Sequence, residues 1–181
     1  MSDRDADAPE ELVWQGRFIT AKKKGRWEYV ARSRGIRAAA ILAVDEHDQV
    51  LLVEQYRVPL GCRCIELPAG LIGDDDGDKT EDALTTAGRE LEEETGYRAD
   101  HLEDLGTFFS SPGMVSESFT LVRARGLTKV GDGGGVAGED ITVHRILLSD
   151  VAQFLADKRR EGCGIDVRML LLLGQGIIEG D

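Results

Sequence analysis

The chain has 181 residues, of which 41% are apolar and 31% are charged, and its formal net charge is −12. This length and composition predict a globular protein with one domain, a small appendage and enough residues for a sizeable core. The acidic balance argues against nucleic acid or an anionic membrane as the main partner.

Nothing in the sequence indicates export or membrane insertion. The first residues, Met-Ser-Asp-Arg-Asp, lack the apolar segment of a signal peptide. The apolar run at residues 169–173 is far too short to span a bilayer. The three cysteines, at positions 62, 64 and 163, have neither the pattern of a disulfide framework nor the spacing of a zinc site. We therefore expect a protein of the reducing cytoplasm.

The first third of the chain is predicted to consist of strands. Residues 1–10 are acidic and small, and we expect a disordered tail there. Two strands, at residues 12–20 and 27–31, should be joined by the basic turn Lys-Lys-Lys-Gly at 22–25, for which a solvated turn is favoured over a phosphate-binding patch. Three further strands are predicted at residues 36–44, 50–56 and 62–67. This pattern divides the chain into a tail (1–10), an N-terminal β segment (11–34) and a main domain (35–181).

A helix is predicted between Thr80 and Gly96. Thr80 is a suitable N-cap, with Glu81 and Asp82 in the first turn, where the helix dipole favours anions. Gly96 stands where a glycine in the left-handed conformation would end the helix. An apolar stripe at i, i+3 and i+7 supports this prediction and consists of Leu84, Ala87 and Leu91.

Three carboxylates occupy a second face of the same helix. Glu90, Glu93 and Glu94 are spaced i, i+3 and i+4, so their side chains are neighbours. Two interpretations are open on this spacing alone. The carboxylates could form a solvated acidic face, or they could hold a divalent cation such as Mg²⁺ or Mn²⁺, which prefer hard oxygen ligands.

The second half of the chain is predicted to contain strands followed by helices. The strands are expected at residues 103–109, 118–124 and 141–147, with a glycine-rich loop at 131–138. That loop is either a lid that closes on bound substrate or a tolerated surface loop. A helix capped by Ser149 or Asp150 should continue to Arg160, and a last helix is expected at residues 165–178. The predicted class is α+β.

The acidic helix belongs to a longer motif. Glu81, seven residues, and then Arg-Glu-Leu-Glu-Glu-Glu-Thr-Gly-Tyr at 89–97 resemble the Nudix box: Gly, five residues, Glu, seven residues, Arg-Glu-apolar-x-Glu-Glu-x-Gly-apolar. The sequence departs from this pattern at the opening glycine, since Gly70 lies ten residues before Glu81 instead of five. The extra residues, within Gly73 to Asp78, are Asp- and Gly-rich and indicate a loop insertion.

The resemblance implies a fold, a reaction and a cofactor. The fold is an α/β/α sandwich around a mixed β-sheet, and the reaction is hydrolysis of a nucleoside diphosphate linked to another moiety. The cofactor is Mg²⁺, with Mn²⁺ as the alternative. By motif position, the implied metal ligands are Glu90, Glu94, the carbonyl of Ala69, and Glu93 either directly or through a water. Arg89 and Glu81 would brace the loop and helix, and we count Arg89 and Glu93 with the catalytic residues.

Within this family the chain resembles the ADP-ribose pyrophosphatases. The supporting segments are Ser-Ser-Pro-Gly at 110–113, Glu-Gln-Tyr-Arg at 54–57 and Gly-Glu-Asp-Ile at 138–141. The last segment supplies Glu139, which the resemblance makes a general base, a metal ligand or both, with Asp140 as its substitute. The implied substrate-binding residues are Phe18, Trp27, Arg32, Arg57, Pro112 and Gly113. For Trp27, stacking on adenine and ordinary packing in an interface are both open.

The implied activity is Mg²⁺-dependent hydrolysis of ADP-ribose, or a related nucleoside diphosphate sugar, to AMP and ribose 5-phosphate. GDP-mannose or another nucleotide sugar is the alternative substrate, and a catalytically silent ADP-ribose sensor is the alternative from another functional class. The N-terminal strands resemble a β segment that this subgroup exchanges between subunits, which implies a homodimer. No nucleic acid or membrane partner is expected.

Overall fold

The computed structural model describes residues 4–33, 35–73, 82–136 and 138–173. In these ranges the chain forms strands β1 (Glu10–Gln15), β2 (Ile19–Lys24), β3 (Trp27–Arg32), β4 (Ala38–Ala43), β5 (Gln49–Arg57), β6 (Cys62–Glu66), β7 (Ala69–Leu71), β8 (Tyr97–Phe109), β9 (Ser118–Lys129), β10 (Thr142–Leu147) and β11 (Gly164–Ile165). The α-helices are α1 (Ala83–Thr95) and α2 (Val151–Arg160), and 3₁₀ turns occupy Leu148–Asp150 and Val167–Leu173.

The main domain has two four-stranded sheets between two helical layers. One sheet has the order β7-β4-β9-β8, with β4 and β9 parallel, and the other has the order β10-β5-β6-β11. Successive residues of β4 point to opposite faces, as a pleated strand requires. Ile41 packs with Leu91 of α1, while Leu42 packs with Leu155 of α2 on the other side. This arrangement confirms the α+β class and the layered architecture.

Helix α1 begins two residues later than the sequence predicts. The predicted N-cap, Thr80, is wrong, because Asp82 takes that position and its carboxylate accepts a hydrogen bond of 2.7 Å from the Thr85 N–H. Aspartate caps a helix at least as well as threonine, so the pattern alone could not separate the two residues. The predicted end at Gly96 is confirmed, with φ at 73° and its N–H bonded to the Glu92 carbonyl.

The single strand predicted over residues 12–20 is also wrong. A break at residues 16–18 separates β1 from β2, and the three lysines lie in β2 instead of in a turn. The reason is cross-strand pairing: Lys22 pairs with Leu12 on one side and Tyr29 on the other, and its ammonium lies 2.7 Å from a Glu10 carboxylate oxygen. Glu10, which the sequence assigned to the tail, begins β1.

The last predicted helix is wrong in its described part. Gly164 and Ile165 pair in parallel with Cys64 and Ile65 of β6, and the following residues form a 3₁₀ turn instead of an α-helix. The Asp166 carboxylate accepts the Arg168 N–H at 2.7 Å, which favours this tight turn. Residues 174–178 lie outside the described ranges, as does the predicted insertion beyond Gly73.

The three-stranded N-terminal sheet, β1-β2-β3, leaves large apolar side chains exposed. Trp14, Phe18 and Trp27 are each more than half exposed, and so are Leu12 and Val13. The sheet meets the main domain where Val30 pairs with Val115. In the described part of the chain, no helix is both long and apolar enough to cross a membrane.

Candidate active site

The centre of the candidate site is the contact between α1 and β7. Glu94 is 4% exposed, and its Oε2 accepts a 3.0 Å hydrogen bond from the Ala69 N–H. Burial raises the pKa of the Glu94 carboxyl to about 8; the Ala69 bond opposes this rise, and the negative charges of Glu90 and Glu139 add to it. The hydrogen bond from Ala69 offsets only part of the cost of burying the Glu94 charge. A bound cation would therefore stabilise this carboxylate.

Glu90 lies one turn earlier on α1 and fills the space above Gly70. A Cβ atom on Gly70 would lie 2.0 Å from the Glu90 carboxyl carbon, so no larger residue fits unless Glu90 moves. Burial raises the pKa of Glu90, and the charges of Glu93 and Glu139 act in the same direction, while Arg89 opposes them. The structure thus brings Glu90, Glu94 and the Ala69-Gly70 segment together.

Arg89 holds two of the carboxylates. Its Nη1 lies 2.9 Å from Glu90 Oε1 and 2.9 Å from Glu93 Oε2. Among the described residues, no three acidic, histidine or cysteine side chains converge as a metal cluster. These residues nevertheless suit a hard divalent cation, which prefers oxygen ligands. They offer several carboxylate oxygens, and the buried Glu94 carboxylate lacks a full counter-charge. Glu90 would have to turn away from Arg89 to join such a cation. Glu81 lies outside the described ranges.

The glycine-rich loop docks on the C-terminal end of α1. The N–H groups of Gly134 and Gly135 donate to the carbonyls of Glu94 and Glu93 at 2.8 and 3.0 Å. Gly133 has φ at 70°, and a Cβ atom there would lie 2.4 Å from the carbonyl carbon of Thr95. These glycines therefore permit a close approach of two backbones, which satisfies carbonyls that a helix end leaves free.

Glu139 is carried by the same loop. Its Oε2 accepts a 3.0 Å hydrogen bond from the Val136 N–H. Its negative charge adds to the raised pKa values of both Glu90 and Glu94. The loop thus joins the predicted late glutamate to the helix that carries the other carboxylates.

A cavity of about 730 Å³ opens beside this cluster. Its lining includes Ala69 and Gly70 together with Arg32 and Arg57, two of the predicted phosphate-binding residues. Arg57 donates two hydrogen bonds, of 2.6 and 2.8 Å, to the Glu66 carboxylate, which raises the pKa of Arg57. Arg32 Nε donates to Glu117 at 2.7 Å. Both guanidinium groups are charged and are oriented by carboxylates at the edge of the cavity.

Three other predicted residues line a second cavity, of about 640 Å³. Trp27, Pro112 and Gly113 meet there with Tyr29. Phe18 lines neither cavity; it is 65% exposed, and the Arg17 guanidinium lies 5.0 Å from its ring centre. Within one chain, the predicted base-stacking residue and the predicted phosphate-binding residues therefore belong to different cavities.

This arrangement of helix, loop and strand coincides with a known domain. The NUDIX domain family matches residues 34–157. The chain belongs to the Nudix family. This match confirms the resemblance carried by the box. It extends from before β4 into α2, and the whole N-terminal sheet precedes it.

Several relatives resemble this Nudix domain. A methanol dehydrogenase activator of Bacillus methanolicus is 37% identical over 67% of this chain and 64% of that protein. An ADP-ribose pyrophosphatase of Bacillus subtilis is 42% identical over 44% of this chain and 40% of that protein. A GDP-mannose pyrophosphatase of Cronobacter sakazakii is 34% identical over 77% and 72%. The chain thus matches less than two thirds of the length of the first two proteins.

A solved structure described as an ADP compounds hydrolase has the same fold. Its TM-score is 0.68, and the superposition covers 93% of this chain and 94% of that chain at 24% sequence identity. The likeness extends over nearly the whole chain, and at this identity it concerns the fold alone.

The sequence did not predict one basic residue that lines the cavity of the candidate site. Arg168 lines the cavity of Arg57, donates to Asp166 at 2.7 Å and to Glu66 at 3.3 Å, and lies over the Phe119 ring at 5.6 Å. Burial opposes its charge, but the hydrogen bonds that it donates to Asp166 and the negative charges of Asp166 and Glu66 raise the pKa of Arg168. The only signal in the sequence is an aspartate two residues before an arginine, which is too common to single out.

Proposed function

We propose that this protein hydrolyses the diphosphate bond of ADP-ribose, or of a closely related nucleoside diphosphate sugar, to AMP and ribose 5-phosphate. The observation that carries this proposal is the meeting of Glu90, Glu94 and the Ala69-Gly70 segment beside a cavity lined by Arg32 and Arg57. Carboxylates next to guanidinium groups suit a diphosphate that is bound together with a divalent cation.

We assign the cation as Mg²⁺, with Mn²⁺ as a substitute, held by Glu90, Glu94, Glu93 and the Ala69 carbonyl. When bound, it would neutralise phosphate charge and favour an ionised water. Arg57, whose side chain is 41% exposed, would donate to a phosphate oxygen while Glu66 keeps its guanidinium oriented. Arg32, which bonds Glu117 and lines the same cavity, would do the same.

Glu139 is proposed as the group that accepts a proton from the attacking water. The water oxygen forms a bond to one phosphorus while the bridging phosphorus–oxygen bond breaks, and the bridging oxygen leaves on the other phosphate. Glu139 is suited to this role because it lies on the loop that is attached to the carboxylate helix, and its carboxylate accepts a hydrogen bond from the Val136 N–H of that loop. Asp140 remains the substitute.

We further propose that the active form is a homodimer in which the N-terminal β segment, residues 11–34, contacts the partner. Two observations support this. Trp14, Phe18 and Trp27 are exposed on a small sheet, and Trp27 lines a cavity separate from that of Arg57 within one chain. Light scattering on the purified protein should give twice the chain mass. A monomer with full activity would contradict the dimer and the exchange of this segment.

Phe18 and Trp27 remain the proposed adenine contacts, with Pro112 and Gly113 at the neighbouring loop. Aromatic stacking suits a flat base, and Trp27 already shares a cavity with both loop residues.

We place the protein in the cytoplasm because Cys62, Cys64 and Cys163 are all free thiols.

GDP-mannose is the second candidate substrate. The observation that favours it is the relative from Cronobacter sakazakii, whose alignment covers more of this chain than that of the Bacillus subtilis ADP-ribose pyrophosphatase. The two substrates share the diphosphate and differ in the base and the sugar. The carboxylate helix would act in the same way on both.

The purified protein should therefore be incubated with Mg²⁺ and ADP-ribose, GDP-mannose, ADP-glucose, NADH or a diadenosine polyphosphate, and the products measured. We expect ADP-ribose to be preferred, with equal amounts of AMP and ribose 5-phosphate, and activity to disappear in EDTA. Turnover of GDP-mannose alone would contradict the adenine contacts. Binding of ADP-ribose without turnover of any substrate would contradict the enzyme and favour a sensor.

A further inference from the structure

Arg63 links two parts of the structure that are far apart in sequence. It lies on β6, and its Nε and Nη2 donate to the side chain and the backbone carbonyl of Glu54, at 2.8 and 2.9 Å. Its Nη1 and Nη2 also donate to the side chain and the backbone carbonyl of Asp140, at 2.8 and 3.1 Å. One guanidinium group therefore bonds both the side chain and the main chain of the residue that follows Glu139.

The Glu54 side of this link is firmly held. Glu54 is 7% exposed and also accepts from Lys158 at 3.0 Å, while His144 Nε2 lies 2.9 Å from it. Burial opposes the charge of Glu54, but the bonds from Lys158, His144 and Arg63 outweigh it and lower the pKa of this carboxyl. Arg63 is thus fixed by the buried Glu54 on β5 and gives the loop a rigid attachment point.

The other end of the loop is fixed to α1 by Gly134 and Gly135, whose N–H groups bond the carbonyls of Glu94 and Glu93. The loop that carries Glu139 is therefore attached on one side of this residue to the carboxylate helix, through Gly134 and Gly135, and on the other side to Arg63, through Asp140. The position of Glu139 relative to α1 depends on both attachments.

We propose that Arg63 is a positioning residue, which holds the loop that carries Glu139 at the C-terminal end of α1 by fixing Asp140. The proposal rests on the proposed function, in which Glu139 accepts the proton of the attacking water. The Asp140 side chain is 87% exposed, so its ion pair contributes little to global stability. Its effect is local, because two bonds to the same neighbour fix both the position and the direction of the backbone at Glu139.

Kinetics of Arg63→Met and Asp140→Asn test this role. We expect kcat for the preferred substrate to fall about 10- to 100-fold in Arg63→Met, the range found when a residue that orients an active group is lost. KM should change less than about threefold, because Arg63 does not line the substrate cavity. Arg98→Met is the matched control, since Arg98 also makes a multiple contact to a carboxylate, that of Glu92, but on the exposed side of α1.

A double-mutant cycle separates positioning from a general loss of stability. In a Glu139→Gln background, Arg63→Met should lower kcat no further, because the group that it positions is already inactive. Independent losses that multiply in the double variant would overturn the proposal. If Arg63→Met fails to fold, the same cycle with Asp140→Asn decides, since the exposed Asp140 side chain is not needed for the core.

Hydrogen exchange gives a readout that does not depend on activity or metal. In the metal-free protein, Arg63→Met should speed exchange in residues 138–141 at least about tenfold and leave Gly134 and Gly135 protected by α1. Unchanged exchange in that segment would overturn the attachment even if the wild-type protein hydrolyses nothing. An active wild type with no turnover defect in Arg63→Met would overturn positioning while leaving the proposed function in place.

Discussion

Replacing Glu94 by glutamine is expected to lower kcat at least about 1000-fold and to leave the fold intact, because a lost cation ligand removes several kcal/mol of transition-state stabilisation. Glutamine has nearly the same shape and can still accept the Ala69 N–H through its carbonyl oxygen. It cannot carry the negative charge that a divalent cation requires. Turnover with saturating Mg²⁺ measures the loss of kcat, and the circular dichroism spectrum of the metal-free protein shows whether the fold is intact.

Glu92→Gln is the matched control for this variant. Glu92 lies on the same helix, but its side chain is exposed and binds Arg98 instead of facing Ala69. We expect the control to keep kcat within about threefold, since an exposed ion pair contributes at most about 1 kcal/mol to stability and none of its atoms faces the cavity. Near-normal turnover in Glu94→Gln, or an equal loss in both variants, would remove Glu94 from the proposed metal ligands.

The second expected result is that the metal-free protein loses stability as the pH rises from about 5 to 8. The folded-state pKa of Glu94 is about 8, well above the value of 4.5 for an ordinary glutamate. A raised pKa means that the folded state binds the proton more tightly, so this contribution is complete below the unfolded-state pKa and is lost as the pH passes the folded-state pKa. The full change for a shift of this size is on the order of 5 kcal/mol.

The carboxyls whose pKa values are lowered act outside this window. Burial opposes the charges of Asp45, Glu54 and Asp166, but their hydrogen bonds outweigh it and lower their pKa values, so they contribute stability that is lost only in acid. The Glu90 pKa is raised like that of Glu94 and acts in the same direction. The loss between pH 5 and 8 therefore reports the carboxylates of the candidate site.

Urea unfolding at pH 5 and pH 8, with EDTA or with Mg²⁺, measures this effect. Mg²⁺ should restore most of the stability at pH 8, because a bound cation favours the charged carboxylate. Glu94→Gln should show a much smaller difference between the two pH values, and Glu92→Gln should behave like the wild type. Equal pH dependence in Glu94→Gln and the wild type would contradict the raised pKa.

Local patterns predicted the parts of the fold that depend on neighbouring residues. The helical end at Gly96 and the apolar stripe of Leu91 follow from spacing along one helix, and the strands around Ile41 and Leu52 follow from short apolar runs. The N-cap at Asp82 was missed because two suitable caps stand close together. The break between β1 and β2 was missed because the partners of that segment, not its composition, decide where each strand ends.

The loop that contains Gly133 shows that the sequence was limited in the same way in predicting the candidate site. The sequence indicated a glycine-rich segment but left two interpretations open, a lid and a tolerated surface loop. The structure instead shows a backbone contact with the end of α1, which requires glycine because a side chain at Gly133 would meet Thr95. Only a structure could show this, since the two segments lie more than thirty residues apart in the chain.

The sequence by itself determined which residues we propose for the chemistry. Glu90, Glu93 and Glu94 are neighbours on any helix with this spacing, and the surrounding box is specific enough to indicate its family. The tertiary structure alone decided what surrounds them: the burial of Glu94 against Ala69 and the attachment of Asp140 to Arg63. The physical reason is that these contacts join residues distant in sequence, and no local periodicity records which strand will lie beside which helix.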